Sequence, residues 1–186
     1  FTFIQMDESA EGNLIGFEEL EEIGNNIIIT GNKVKTFFSM PNLMKIGQGN
    51  IAPFQIFISG NNFETFDFYS NINSTGRVSG LWIANNSNLV DISALDNIVA
   101  DSINDLRLSN NLNLSTCHTK LICDYLELDP SRPTMIFDNA EGCNSSEEVL
   151  EQCAIKPPED PTLCPIASRP GMQIDRLEND KYNIMY

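Results

Sequence analysis

Apolar residues alternate with polar ones over runs of only about five positions, and each run leads into an asparagine three residues after its last buried position. The pattern apolar-x-apolar-x-x-Asn occurs as Ile27-x-Ile29-x-x-Asn32, Ile56-x-Ile58-x-x-Asn61, Leu81-x-Ile83-x-x-Asn86 and Leu106-x-Leu108-x-x-Asn111. A fifth, weaker copy reads Thr134-x-Ile136-x-x-Asn139. The asparagines are spaced by 29, 25, 25 and 28 residues. Period-2 alternation this brief predicts very short strands. Periods of about 20 to 29 residues are those of leucine-rich repeats.

Between the strands the period changes to three. Leu89, Ile92, Leu95 and Ile98 keep that step, as do Leu14, Phe17, Leu20 and Ile23, and Val34, Phe37, Met40, Leu43 and Ile46. A three-residue step predicts a 3₁₀-like or extended return arm in place of a full helix. One strand and one arm per repeat predict a solenoid in which each coil stacks on the last. At the turn leaving each strand, a side-chain amide can both donate to and accept from backbone groups that would otherwise be buried without partners. Stacked coils would therefore align Asn32, Asn61, Asn86, Asn111 and Asn139 into a ladder.

Composition narrows the classes of partner. The 186 residues, 41% hydrophobic, can bury one substantial core or one domain with a tail. With 26 acidic against 11 basic residues the formal charge is −15, which disfavours nucleic acid and anionic membrane surfaces. No window reaches the roughly 18 to 20 apolar residues of a membrane-spanning helix. The chain opens on Phe1 with no charged-then-apolar leader, which reads as a processed or truncated start. Five of the nine prolines fall within 154–170. The expected organisation is a solenoid over residues 1–153 and a Pro-rich extended tail or linker over 154–186.

The final coils resemble a known family. The Asn-Asn-x-x-Leu texture of 85–89 and 110–114 is similar to the receptor L domain, the repeat solenoid of insulin and growth-factor receptor ectodomains. A closer resemblance is to secreted bacterial leucine-rich-repeat proteins with a cysteine-containing C-terminal cap. It is carried by Asn110-Asn111-Leu112-Asn113-Leu114-Ser115-Thr116-Cys117, by Ile122-Cys123-Asp124-Tyr125-Leu126, and by Gly142-Cys143-Asn144-Ser145 through Glu148-Val149 to Cys153. The match covers residues 106–153. It implies an α/β or β-rich, right-handed leucine-rich-repeat solenoid with short parallel strands, exported across an outer membrane to the surface of a Gram-negative bacterium. Phe63, Phe66 and Phe68 depart from it, standing where small aliphatic residues are usual.

All five cysteines lie in the C-terminal half, at 117, 123, 143, 153 and 164. Their clustering predicts a local staple, with zinc disfavoured because CxxC pairs are absent and His118 is the only histidine. Cys117 and Cys143 follow their ladder asparagines by six and four residues, and Cys123 and Cys153 lie farther along their arms. The expected disulfides are Cys117–Cys143 and Cys123–Cys153, capping the terminal coil and leaving Cys164 over. Asp101-Ser102-Ile103 resembles an O-glycosylation triplet of the same bacterial group, which makes Ser102 a candidate modified residue.

No motif speaks for catalysis, and no cofactor or metal site is expected. His118 lacks a nucleophile context, and neither a Gly-x-Ser-x-Gly elbow nor a phosphate-binding glycine loop occurs. The sheet offers more. Residues four before each ladder asparagine face outward by alternation: Ile28, Phe57, Trp82, Arg107 and Met135. Thr30, Ser59, Ala84, Ser109 and Phe137 form the next column. An exposed, mostly apolar stripe with a Trp and an Arg is the composition of an interface. The expected function is therefore a non-catalytic extracellular module that binds a protein, or a glycan, on Ile28, Phe57, Trp82, Arg107, Met135 and Phe137. Protein is favoured because no acid-and-tryptophan sugar platform is evident in the outward columns. The alternatives are a polysaccharide-acting β-solenoid enzyme, which would need clustered carboxylates, and a purely structural stalk.

Overall fold

The computed structural model describes residues 17–31, 40–47, 53–65 and 71–155, together with the backbone of 4–6, 174–176 and 182–184. Two compact units divide the chain, Phe1–Ile155 and Lys156–Tyr186. The first is α/β: two parallel sheets and two short helices. Six strands make its main sheet: β1 (Ile4–Met6), β3 (Ile27–Thr30), β5 (Phe54–Ser59), β7 (Val78–Ala84), β8 (Leu106–Ser109) and β9 (Thr134–Phe137). They lie side by side in chain order, and every neighbouring pair is parallel.

The alternation seen in the sequence sets which face is buried. Ile27 and Ile29, Ile56 and Ile58, Leu81 and Ile83, and Leu106 and Leu108 are all fully buried, and they align across the sheet in register. Ile136 continues the row in β9. The arms contribute the opposing layer of the core: Leu20, Ile23, Met40, Leu43, Ile46, Leu89, Ile92, Leu95 and Ile98 are buried at the three-residue step. Phe63 joins this core at 1% exposure; Phe66 and Phe68 lie outside the described residues.

The arms are of two kinds. Early arms are extended and pair into a second parallel sheet of β2 (Glu22–Ile23), β4 (Lys45–Ile46) and β6 (Ser74–Thr75). The arm after β7 instead forms 3₁₀ turns at Ser93–Leu95 and Ala100–Ser102. Glycine permits the small sheet. Gly76 donates its N–H to Ile46, and a Cβ there would lie 2.2 Å from the carbonyl oxygen of Gly47.

Each strand of the main sheet from β3 onward leaves through one left-handed residue placed just before the asparagine position. Gly31, Gly60, Asn85, Asn110 and Asp138 have φ between 53° and 69°. Gly, Asn and Asp are the residues that enter this region at least cost. The backbone then reverses, and the following asparagine side chain turns inward. Asn61, Asn86, Asn111 and Asn139 join in one hydrogen-bonded chain, while Asn32 lies outside the described residues. At each step the lower residue gives both its backbone N–H and its Nδ2 to the Oδ1 of the next, and Nδ2 also donates to a carbonyl of the preceding strand, one repeat back: Asn61 to Ile29, Asn86 to Ile58, Asn111 to Ile83 and Asn139 to Leu108.

The chain of amides is terminated by the cap. Asn139 donates its backbone N–H to Oδ1 of Asn144 and its Nδ2 to the carbonyl of Cys143. Two helices follow the last coils, α1 (Lys120–Leu128) and α2 (Ser146–Ala154). Helix α1 is capped by Thr119, and Asp96 of the preceding arm accepts from the N–H of Leu121. Helix α2 opens on Ser145, whose hydroxyl accepts from Glu148 N–H, while the Glu148 carboxylate accepts from the N–H groups of Gly142 and Asn144. Cys117 is bonded to Cys143 and Cys123 to Cys153, with Cα separations of 5.9 and 5.8 Å. The second bridge joins the two helices.

The first unit reaches two residues past the expected boundary at 153, because α2 continues to Ala154. Ile174–Arg176 (β10) and Tyr182–Ile184 (β11) pair antiparallel. Among the described residues no helix is long and apolar enough to cross a membrane.

Candidate functional site

Strand register brings the expected outward column together. Ile28 pairs with Phe57, Phe57 with Trp82, Trp82 with Arg107, and Arg107 with Met135. The spacing of parallel strands makes this one row with a side chain about every 4.8 Å. Ile28, Phe57, Trp82 and Arg107 are half-buried, and Met135 is 46% exposed. Phe137, in the adjoining row, is 38% exposed beside Ser109. Ser109 itself departs from the outward expectation and is buried.

The centre of the row is organised by two residues that the repeat pattern passes over, Gly80 and Asp105. The indole of Trp82 leans along its own strand over Gly80, where an added Cβ would stand 2.7 Å from Nε1. From there Nε1 donates to Oδ2 of Asp105, the residue just before β8, at 3.1 Å. The same carboxylate holds Arg107, two residues on along β8 and so on the same face. Nε of Arg107 lies 3.0 Å and Nη2 2.9 Å from Oδ2. The guanidinium carbon then sits 4.2 Å from the Trp82 ring centroid. From the opposite strand Phe57 meets the indole at 80°, with centroids 6.0 Å apart.

The expectation that no acid stands beside the tryptophan on this face is thus corrected. Asp105 lies one alternation step before Arg107, six residues ahead of Asn111, and its side chain is 18% exposed. The signal was present as Asp105-x-Arg107, an acid and a base at i and i+2 where the chain enters β8, a spacing that shares a face in extended backbone.

Elsewhere the candidate groups are dispersed. His118 is exposed beside the disulfide-bonded Cys117. Ser102 ends a 3₁₀ turn and donates its hydroxyl to the carbonyl of Val99 at 2.6 Å. A cleft of about 460 Å³ is lined by Val99, Ala100, Asp101, Asp124, Glu127 and Leu128. Two of its acids are engaged by the chain's own cations, Asp101 by Arg132 at 2.7 Å and Asp124 by Lys120. The Lys120 pKa is raised, first by its hydrogen bond to Asp124 and then by that carboxylate's charge. Among the described residues no three His, Cys, Asp or Glu side chains gather in the manner of metal ligands.

No family model, no curated protein and no solved structure matches this chain.

Proposed function

We propose that residues 1–155 form a leucine-rich-repeat solenoid of the receptor-L-domain kind. It acts as a non-catalytic extracellular binding module, and the row Ile28, Phe57, Trp82, Arg107 and Met135, with Phe137, is its contact surface. The partner is a protein. The observation that carries this reading is the register itself: five successive strands present aromatic, aliphatic and arginine side chains in one aligned row at the edge of solvent. Trp, Tyr and Arg are the side chains that dominate binding energy at interfaces, and aligned half-exposed apolar groups have more to gain from a partner than scattered ones.

Two disulfides in one cap are consistent with an oxidising compartment outside the cytosol. The resemblance of 106–153 to secreted bacterial proteins supports the surface of a Gram-negative cell as the place of action. The test is photo-crosslinking in the source cells, with benzoylphenylalanine at Met135 on the row and, as control, at the exposed Leu112 of the turn after the ladder. A discrete adduct from position 135, absent from position 112 and lost in a Phe57→Ala, Trp82→Ala background, is expected. Equal adducts from both positions, or none from 135, would remove the row from the function.

A further inference from the structure

An indole can engage a ligand through its two flat faces and its N–H. In Trp82 the N–H and one face are already engaged from within the chain, and Phe57 stands nearly perpendicular to the ring. The N–H is given to Asp105, Arg107 lies over the ring from β8, and Phe57 stands against it from β5. We infer that Asp105 is the positioning residue of this face. It locks Trp82 and Arg107 into one preassembled unit that fits the row to a protein surface and places Arg107 on a face that a stacked sugar ring would use. The inference rests on the binding role proposed above for the row, although its first test does not.

The geometry argues for the protein class in two steps. A sugar ring that stacks on tryptophan lays its C–H groups on an open aromatic face, where the ring quadrupole is negative. Arg107, 4.2 Å from the centroid, already uses that attraction as a cation–π contact. Nε and Nη2 of Arg107 are bound to Asp105, and Nη1 has no partner among the described residues. A planar donor of this kind is met best by a carboxylate or a main-chain carbonyl. With Phe57 and Met135 as apolar flanks, the complementary surface is a protein segment with apolar side chains around one such acceptor.

Preassembly also bears on affinity. Long side chains that must be ordered on binding weaken it, and here the ordering accompanies folding. Gly80 serves the same end from below, since a side chain there would displace the indole from Asp105.

Trp82 is the chain's only tryptophan, so its emission reads this site alone. The first experiment is acrylamide quenching of the intact protein as wild type, Asp105→Asn and Asp105→Ala. The Ala variant releases both contacts, and a cation–π contact of about 0.5 to 1 kcal/mol predicts a two- to fivefold rise in exposure of the ring. Asp105→Asn keeps an acceptor for Nε1 but loses the ion pair, so it should fall between; it is nearly isosteric and guards against a folding failure in the Ala variant. A role in stability alone would lower the melting temperature and leave emission and quenching of the folded protein unchanged, which would overturn the inference. The second experiment titrates wild type with methyl glucoside, methyl galactoside, methyl mannoside and the N-acetylglucosamine trimer. No saturable change in Trp82 emission is expected, and a saturable change would overturn the exclusion of sugars. Loss of the crosslink from position 135 would instead sink the binding role and leave the quenching result standing.

Discussion

Asn86 donates from both its backbone N–H and its Nδ2 to the single Oδ1 of Asn111, at 3.0 and 3.1 Å. The other Nδ2 hydrogen goes to Ile58, and Oδ1 of Asn86 accepts the same pair of bonds from Asn61. Every polar atom of a side chain with no exposed surface is therefore used, and the pattern runs in one direction from Asn61 to the cap. Replacement by Ala takes the partner from the Ile58 carbonyl, from the backbone N–H of Asn61 and from one Nδ2 hydrogen of Asn61. Asn86→Ala should cost about 3 kcal/mol or more, at roughly 1 to 3 kcal/mol per unsatisfied buried group. Asn86→Asp should cost more at pH 7, because a carboxylate cannot donate and would face two oxygens. Urea denaturation checks both, with the exposed Asn113→Ala as control; equal midpoints for Asn86→Asp and wild type would contradict the ladder's role.

Cap stability should depend on both disulfides. The loops they close span 26 and 30 residues, for which loop entropy predicts about 3 to 4 kcal/mol each. Replacing Cys117 and Cys143 together by Ala should destabilise more than replacing Cys123 and Cys153, since the first pair is fully buried and the second only partly. Thermal unfolding of the two double variants, and peptide mapping without reductant, test this. A Cys117–Cys123 crosslinked peptide would contradict the pairing.

The left-handed turn before each ladder asparagine gives a third expectation. Asn110 has φ of 55° and its backbone N–H donates to Phe137. Asn110→Gly keeps the conformation and should change stability by less than about 1 kcal/mol. Asn110→Val places a β-branched residue where L side chains clash, at a cost of roughly 1 to 2 kcal/mol. Parallel urea titrations of the two variants decide it; equal effects would mean the turn relaxes freely.

Tyr125 supplies a pH dependence. Its ring is fully buried, its hydroxyl donates to the carbonyl of Pro133 at 2.9 Å, and burial is the largest cause of a pKa above the ordinary 10.0. The hydrogen bond to Thr134 and the charge of Arg132, whose guanidinium stands 5.6 Å from the ring, oppose the shift without cancelling it. A folded-state pKa above the unfolded one means that the folded protein holds this proton more tightly. The stabilisation is complete below about pH 10 and is lost as pH rises through the folded value. Wild type should therefore lose stability more steeply above pH 10 than Tyr125→Phe, whose lower stability at pH 7 reflects the missing hydrogen bond. Chemical denaturation at intervals from pH 8 to 11.5 measures the two slopes; parallel slopes would count against the shift.

Much of this architecture was legible along the chain because its causes are local or periodic. Alternation at Ile56, Ile58, Leu81 and Ile83 places those residues inside any strand they form, and asparagines at near-constant spacing fall into register once strands pair in order. The disulfide partners followed from the same register. Other features also have local signals: the left-handed positions are all Gly, Asn or Asp, and Ser145-x-x-Glu148 has capping-box spacing, with Glu148 accepting from Gly142 and Asn144.

What local sequence could not set is how side chains from different coils meet on the outward face. Asp105 and Arg107 share a face by period alone, yet their value to Trp82 depends on β7 and β8 lying adjacent and on the empty space above Gly80. Those are distances across the sheet between residues 23 to 27 positions apart, and they exist only once the strands are paired. Burial pattern and turn chemistry are properties of one strand and its neighbours in sequence. The Trp82–Asp105–Arg107 unit belongs to the packed sheet.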